Sequence, residues 1–207
     1  MGPGLNAWSE RDEEGASFDG AELDGTELQR CRFAGCSFKG ASMDGVVAEE
    51  CTFADCDFTG ARLTDSLLTR CDFANARFAS ARLFSARLVD CRLLGADLTG
   101  ADLTGLTVEG GDWSYANLRS LNLSGLDLRH LRLVEADLAE ADLRKADLRD
   151  ADLSRAILRA ARLRDADLRG ATLDGIDLRE LNLKDVRIDL VQAAMLATCY
   201  GAKVESQ

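Results

Sequence analysis

The stretch ADLAEADLRKADLRDADL at 136–153 repeats with a period of five: Leu138, Leu143, Leu148 and Leu153 recur at that interval, each preceded by Ala-Asp. Five is neither the period of two that marks a strand nor the 3.6 of a helix. The phase runs without insertion from Phe18 to Ile188, over 35 positions, of which leucine fills 23 and phenylalanine seven. Met43, Ala48, Val108, Trp113 and Ile188 hold the rest. A second apolar column lies two residues earlier, from Ala16 to Val186, and carries 18 alanines, six cysteines and five leucines. Each pentapeptide therefore turns one small and one large apolar residue to the same side, with a polar residue between them, as an extended chain does. The two residues left over must turn the chain before the next inward pair. A chain that turns every five residues with the same columns inward winds into a coil, and stacked turns bury a continuous core.

The aromatic residues set the length of a turn. Phe33 and Phe38, Phe53 and Phe58, and Phe73 and Phe78 are pairs that recur every 20 residues. Cys31 and Cys36, Cys51 and Cys56, and then Cys71 and Cys91 echo them. Twenty residues are four pentapeptides, so the coil has four sides, and residues 20 apart stack on one side as ladders of like side chains.

The tandem A(D/N)Lxx units over about residues 16–188 resemble the pentapeptide-repeat family. That resemblance implies an all-β fold, a right-handed quadrilateral β-helix, with a short α-helix after it. Three segments are expected: a non-repeat segment at 1–15, the β-solenoid at 16–188, and a capping and dimerisation helix with a tail at 189–207. The first contains Pro3 and is either disordered or a partial cap, with Trp8 over the open end of the core. Two repeats depart from the pattern. At Val46-Val47-Ala48 either the coil bends or Val46 fills the gap. At Trp113 a large residue sits beside Gly111 in the small column, which suggests volume compensation with local distortion.

The end, IDLVQAAMLATCYGAKV, leaves the five-residue period. Asp189 suits an N-cap and Gly201 a helix stop. A helix this apolar must bury more than one face. One face is expected to cover the open strand edges of the solenoid. The other is expected to meet a second copy, giving a homodimer joined through its C-terminal ends. Leu190, Val191, Ala194, Met195, Leu196 and Tyr200 are the candidate dimer contacts.

A formal net charge of −11 disfavours nucleic acid as a partner, since phosphate binding needs basic patches. No apolar run reaches the length needed to cross a bilayer, and residues 1–15 lack the plan of a signal peptide, so a cytoplasmic location is expected. Six of the seven cysteines share the small column with alanine. They are expected to be reduced, buried and metal-free, as small hydrophobes. The single histidine, His130, falls on a corner. No nucleophile–base pair, phosphate loop or cofactor motif can be placed, so no enzyme is expected.

Aspartate fills the middle position in 12 of the 35 repeats. Asp127, Asp147 and Asp167 stack beside Arg129, Arg149 and Arg169, a self-neutralising face. Asp97, Asp102, Asp137, Asp142 and Asp177 stack without such a run of arginines. Strand spacing gives a rod of about 42 Å. Eleven net charges over it are about one per 4 Å, against one per roughly 1.7 Å in duplex DNA. The stretches RIDLVQAAMLATCYGAKV at 187–204 and GGDWSYANLRSLNLSG at 110–125 resemble the Qnr/MfpA/AlbG branch of the family. That resemblance implies a dimeric DNA mimic that binds DNA gyrase, a type II topoisomerase, and protects it from fluoroquinolones or natural gyrase poisons. Those five aspartates would be the partner-binding surface. The alternative is a generic repeat scaffold for another protein partner.

Overall fold

The computed structural model describes residues 7–205; Pro3 and the rest of residues 1–6 lie outside the described residues. From Ala7↔Glu27 to Asp167↔Arg187, parallel pairing joins residues 20 apart. This is the register of a right-handed, four-sided β-solenoid. One side carries named strands β1 (Ala7–Ser9), β3 (Glu27–Gln29), β5 (Val47–Glu49), β6 (Leu67–Thr69), β7 (Arg87–Val89) and β8 (Thr107–Glu109). The next side begins with β2 (Asp12–Glu14) and β4 (Arg32–Ala34). Elsewhere pairing, where present, is by a single residue per side and coil.

The hydrogen-bond pattern follows the columns. The large inward residue donates one coil up, as from Phe33 N–H to Thr52 O at 2.7 Å. The middle residue donates one coil down, as from Thr52 N–H to Cys31 O at 2.8 Å. At each corner the next small residue closes a turn, as from Ala41 N–H to Phe38 O at 3.0 Å. The second corner residue takes a left-handed φ, 62° at Gly40 and 57° at Asp55. Non-glycine residues fill many such corners, and none of them is β-branched, the class that pays most for positive φ.

The solenoid starts earlier than the boundary at residue 16. β1 and β2 fall inside the segment read as non-repeat, and both pair in the 20-residue register. Trp8 extends the large column backwards in phase. Its ring lies 6.1 Å from Phe18 and 6.2 Å from Phe33, and the Arg11 guanidinium stands 4.3 Å above it. Above Trp8 the phenylalanines form two stacks. Phe18, Phe38, Phe58 and Phe78 are spaced by 4.9 to 5.0 Å; Phe33, Phe53 and Phe73 by 5.2 and 5.0 Å. Rings of the two stacks meet edge to face. Both Val46 and Ala48 are fully buried, so Val46 fills the gap at the weak repeat. The six column cysteines are buried, and all their thiols but that of Cys51 contact carbonyls of the coil below, as Cys56 Sγ to Phe33 O at 3.4 Å. Burial pushes the Cys56 thiol up to about 12.

At the weak point around Trp113 the coils stay paired, Arg92 with Asp112 and Asp112 with Arg132. A Cβ on Gly111 would lie 2.3 Å from Cys91 O, so only glycine allows that approach. Trp113 is buried, and its Nε1–H has no partner among the described residues.

Four rungs of the ladder are open: Asp102/Asn122, Thr107/Asp127, Ile157/Asp177 and Arg162/Asn182 have no pairing, although their neighbours along the same sides do. In each, the upper coil carries Leu121, Leu126, Ile176 or Leu181 in the small column. These side chains lie over Ala101, Leu106, Ala156 and Ala161, and they come as two consecutive pairs, whereas the isolated Leu106 over Ala86 leaves its rung closed. Leu131 lies over Gly111, and that rung is closed.

The C-terminal end is capped by a 3₁₀ turn at Leu178–Glu180 and by α1 (Leu190–Cys199). Asp189 is the N-cap, and with Gln192 it completes a capping box. Gln192 is buried, and its Nε2–H groups donate to Leu168 O (2.5 Å) and Ala171 O (2.9 Å). Met195, Leu196 and Cys199 pack on the solenoid core. Met195 and Leu196, two of the expected dimer contacts, are partly buried against their own chain's open end. Leu190, Val191 and Tyr200 are exposed, while Ala194 is half-buried.

Candidate functional site: the acidic faces

The middle-column carboxylate has a local task that the pattern alone does not announce. It accepts the N–H of the residue two positions on, across the corner: Asp97 from Thr99, Asp137 from Ala139, Asp142 from Arg144, Asp177 from Arg179. Asn117 and Asn122 do the same to Arg119 and Ser124. This is the backbone-mimicking turn that Asp and Asn favour. It explains why the repeat reads A(D/N)Lxx.

The self-neutralising face forms as expected. Arg129, Arg149 and Arg169 each fold back on the aspartate two residues earlier through two charge-assisted bonds of 2.6–2.9 Å. Those bonds hold the carboxyls of Asp127, Asp147 and Asp167 below the usual range.

The five aspartates read as under-neutralised divide. Asp142 is only 4% exposed and lies between Arg144 (2.7 Å) and Arg162 (3.0 Å). Asp177 is paired with Arg179, whose hydrogen bonds lower it to about 2. Neither is a bare charge. The reason is the arginine two residues later, which repeats the Asp147–Arg149 geometry. Asp97, Asp102 and Asp137 remain outside ion-pair distance of any described cation. Asp97 accepts from Thr99 Oγ1 at 2.6 Å and Asn117 Nδ2 at 3.0 Å. Asp102 accepts from Thr104 Oγ1 at 2.7 Å, the main cause of its lowered pKa. These threonine and asparagine partners leave the negative charge whole. Asp55 and Asp65, on corners beside these two sides, also have no described cation in range. The middle-column reading passed over them, although their corner positions are readable from the phase.

Two pentapeptide-repeat family models match, one over 51–93, 76–112, 122–159 and 161–189, the other over 18–62. The chain belongs to the pentapeptide-repeat family. Among solved structures it is similar to QnrB1, a plasmid-mediated fluoroquinolone resistance protein. The full-length form is 26% identical at a TM-score of 0.86, with 95% of this chain and all of that one covered. Two trypsin-treated variants give TM-scores of 0.85 and 0.87 at 28% and 26% identity, covering 95% and 97% of this chain and 99% and 100% of theirs. No curated protein matches this chain by sequence.

Proposed function

We propose that this protein is a DNA mimic that binds DNA gyrase and protects it from topoisomerase poisons, acting in the cytoplasm as a homodimer, by binding and not by catalysis. The observation that carries this reading is the end-to-end structural likeness to QnrB1, a fluoroquinolone resistance protein. Two features support it. Asp97, Asp102 and Asp137 leave uncompensated charge on adjacent sides of the solenoid, which complements a basic channel and steers encounter. Leu190, Val191, Tyr200 and Val204 are apolar and exposed at the C-terminal end, where a second copy would cover them. The test is a titration of the protein into gyrase supercoiling and fluoroquinolone-stabilised cleavage assays. Protection is expected, weakening as salt screens the charges. No gyrase binding at low salt overturns the reading.

The turn role of the aspartates favours a second reading, a scaffold for another protein partner whose acids only build corners. A triple Asp97→Asn, Asp102→Asn, Asp137→Asn variant separates the two, because asparagine keeps the corner acceptor and removes the charge. Undiminished gyrase binding by that variant would defeat charge mimicry.

A further inference from the structure

The two openings in the ladder differ in what lines them. The one at Thr107/Asp127 presents Glu109, Asp127 and Arg129, a mixed set. The one at Arg162/Asn182 is a crevice of about 440 Å³ whose charged lining residues are all cations: Arg144, Arg162, Arg164 and Lys184. Its apolar wall is Ala160, Ala161 and Leu163, with Asn182 opposite. The cations are only partly spoken for. Arg144 and Arg162 share one carboxylate, Asp142. Arg164 reaches Asp185 at 3.4 Å and Asp165 at 3.9 Å. Lys184 is exposed and pairs with no described carboxylate.

The backbone points into the same place. On a closed rung the large residue's N–H donates to the coil above. Leu163 is 1% exposed, yet its N–H has no acceptor among the described residues, a rare state for a buried donor. Just beyond, Asp165 N–H donates to Asp185 O at 3.1 Å, one residue out of the register held elsewhere. The unpaired rung under Leu181 is thus a cleft that combines four cations, an orphan amide and an apolar wall on a chain of net charge −11.

We propose that this cleft binds a small organic anion, a carboxylate or phosphate monoester on an apolar body. The oxyanion would meet the arginine forks and Lys184, where charge-assisted bonds are strong, and the body would lie on the exposed Ala160 and the edge of Ala161. The volume lies within the roughly 300–1,000 Å³ of small-ligand sites. The proposal is independent of gyrase binding.

The test uses the full chain at low salt, with calorimetry and amide NMR. The probes are naphthalene-2-carboxylate, phenyl phosphate, inorganic phosphate and the neutral naphthalene-2-carboxamide. At least one organic anion should shift the amides of Leu163, Asn182 and Lys184, and the tighter of the two assigns carboxylate or phosphate. Inorganic phosphate should bind at least tenfold more weakly, and the carboxamide should not bind. Absence of shifts at those amides, equal binding of the carboxamide, or equal binding of inorganic phosphate overturns the proposal. Lys184→Glu should weaken the organic anion at least tenfold with an unchanged melting curve, while the remote Lys39→Glu should not. Wild-type affinity in Lys184→Glu also overturns it. Should that variant melt early, Arg164→Gln gives the same reading.

Discussion

Residues 16–95 and 96–188 obey one five-residue rule, yet only the first keeps every rung of its ladder closed among the described residues. In the first half the small column holds alanine and cysteine almost throughout, and the large column stacks phenylalanines at 4.9–5.2 Å. That separation matches the strand spacing of about 4.7–4.9 Å, so side-chain stacking and backbone pairing have their optimum at the same rise. In the second half leucine enters both columns, and the ladder opens beneath Leu121, Leu126, Ile176 and Leu181. Leu106 over Ala86 and Leu131 over Gly111 are tolerated. Closure does not follow the volume of a single stacked pair, since Leu106 over Ala86 is closed and Leu121 over Ala101 is open. The open rungs fall where two consecutive small-column residues are large, Leu121 with Leu126 and Ile176 with Leu181, and the second of these places is the cationic cleft.

Several changes would break or sharpen this contrast. The largest effect is expected from Phe53→Ala, which removes a fully buried ring from the middle of a stack. It should cost about 3–5 kcal/mol, and Leu148→Ala in the other half about 2–5 kcal/mol, both read by denaturant unfolding. Equal costs would mean that ring stacking adds nothing to the first half. Next, the double variant Ala61→Leu, Ser66→Leu puts two consecutive leucines over Ala41 and Val46 in the closed half. It should cost about 1–3 kcal/mol by overpacking and open the Ser42/Arg62 rung, visible as faster amide exchange at Met43 and Arg62. An unchanged exchange pattern there would show that consecutive large residues do not open the ladder.

Acid should loosen the second half first. Arginine hydrogen bonds hold Asp127, Asp142, Asp147, Asp167 and Asp177 below the usual carboxyl range. A folded-state pKa below the unfolded value of about 3.9 gives stability that is present above that value. It is lost as pH falls through the folded values. Below about pH 4, hydrogen exchange across 127–187 should accelerate before that across 27–89. Simultaneous acceleration would show that the threonine- and serine-held aspartates of the first half matter as much. The smallest effect is expected from the double variant Leu121→Ala, Leu126→Ala. Closing two rungs offsets much of the lost apolar burial, so the net change should fall below the single-site cost of Leu148→Ala, with slower exchange at Leu103 and Val108.

The architecture was legible because its rule is local. Inward position depends only on residue number modulo five, and the Phe and Cys echoes supply the coil length, so the side on which each residue stands follows from counting. The same counting, applied a little further back, would have placed Trp8 in the large column. Asp189 and Gly201 announced a helix through local capping chemistry. The fate of each acid was legible only in part: Arg144 and Arg179 follow Asp142 and Asp177 at the spacing of Asp127 and Arg129, but the burial of Asp142 was not readable. Asp142 and Asp137 occupy equivalent positions in adjacent pentapeptides, and the first is buried between two arginines while the second keeps its charge. The difference lies in Arg144 and Arg162, one two residues ahead and one a full coil above, meeting at a single carboxylate.

The sequence alone thus determined the fold, the four sides, the core columns and the capping helix, since periodicity and end-capping act over a few residues at a time. Tertiary structure decided which coils close, which acids stay bare and which faces of α1 are spoken for. Each of these depends on volumes and charges brought together from residues about 20 apart, and the chain resolves that sum only when the coils stack.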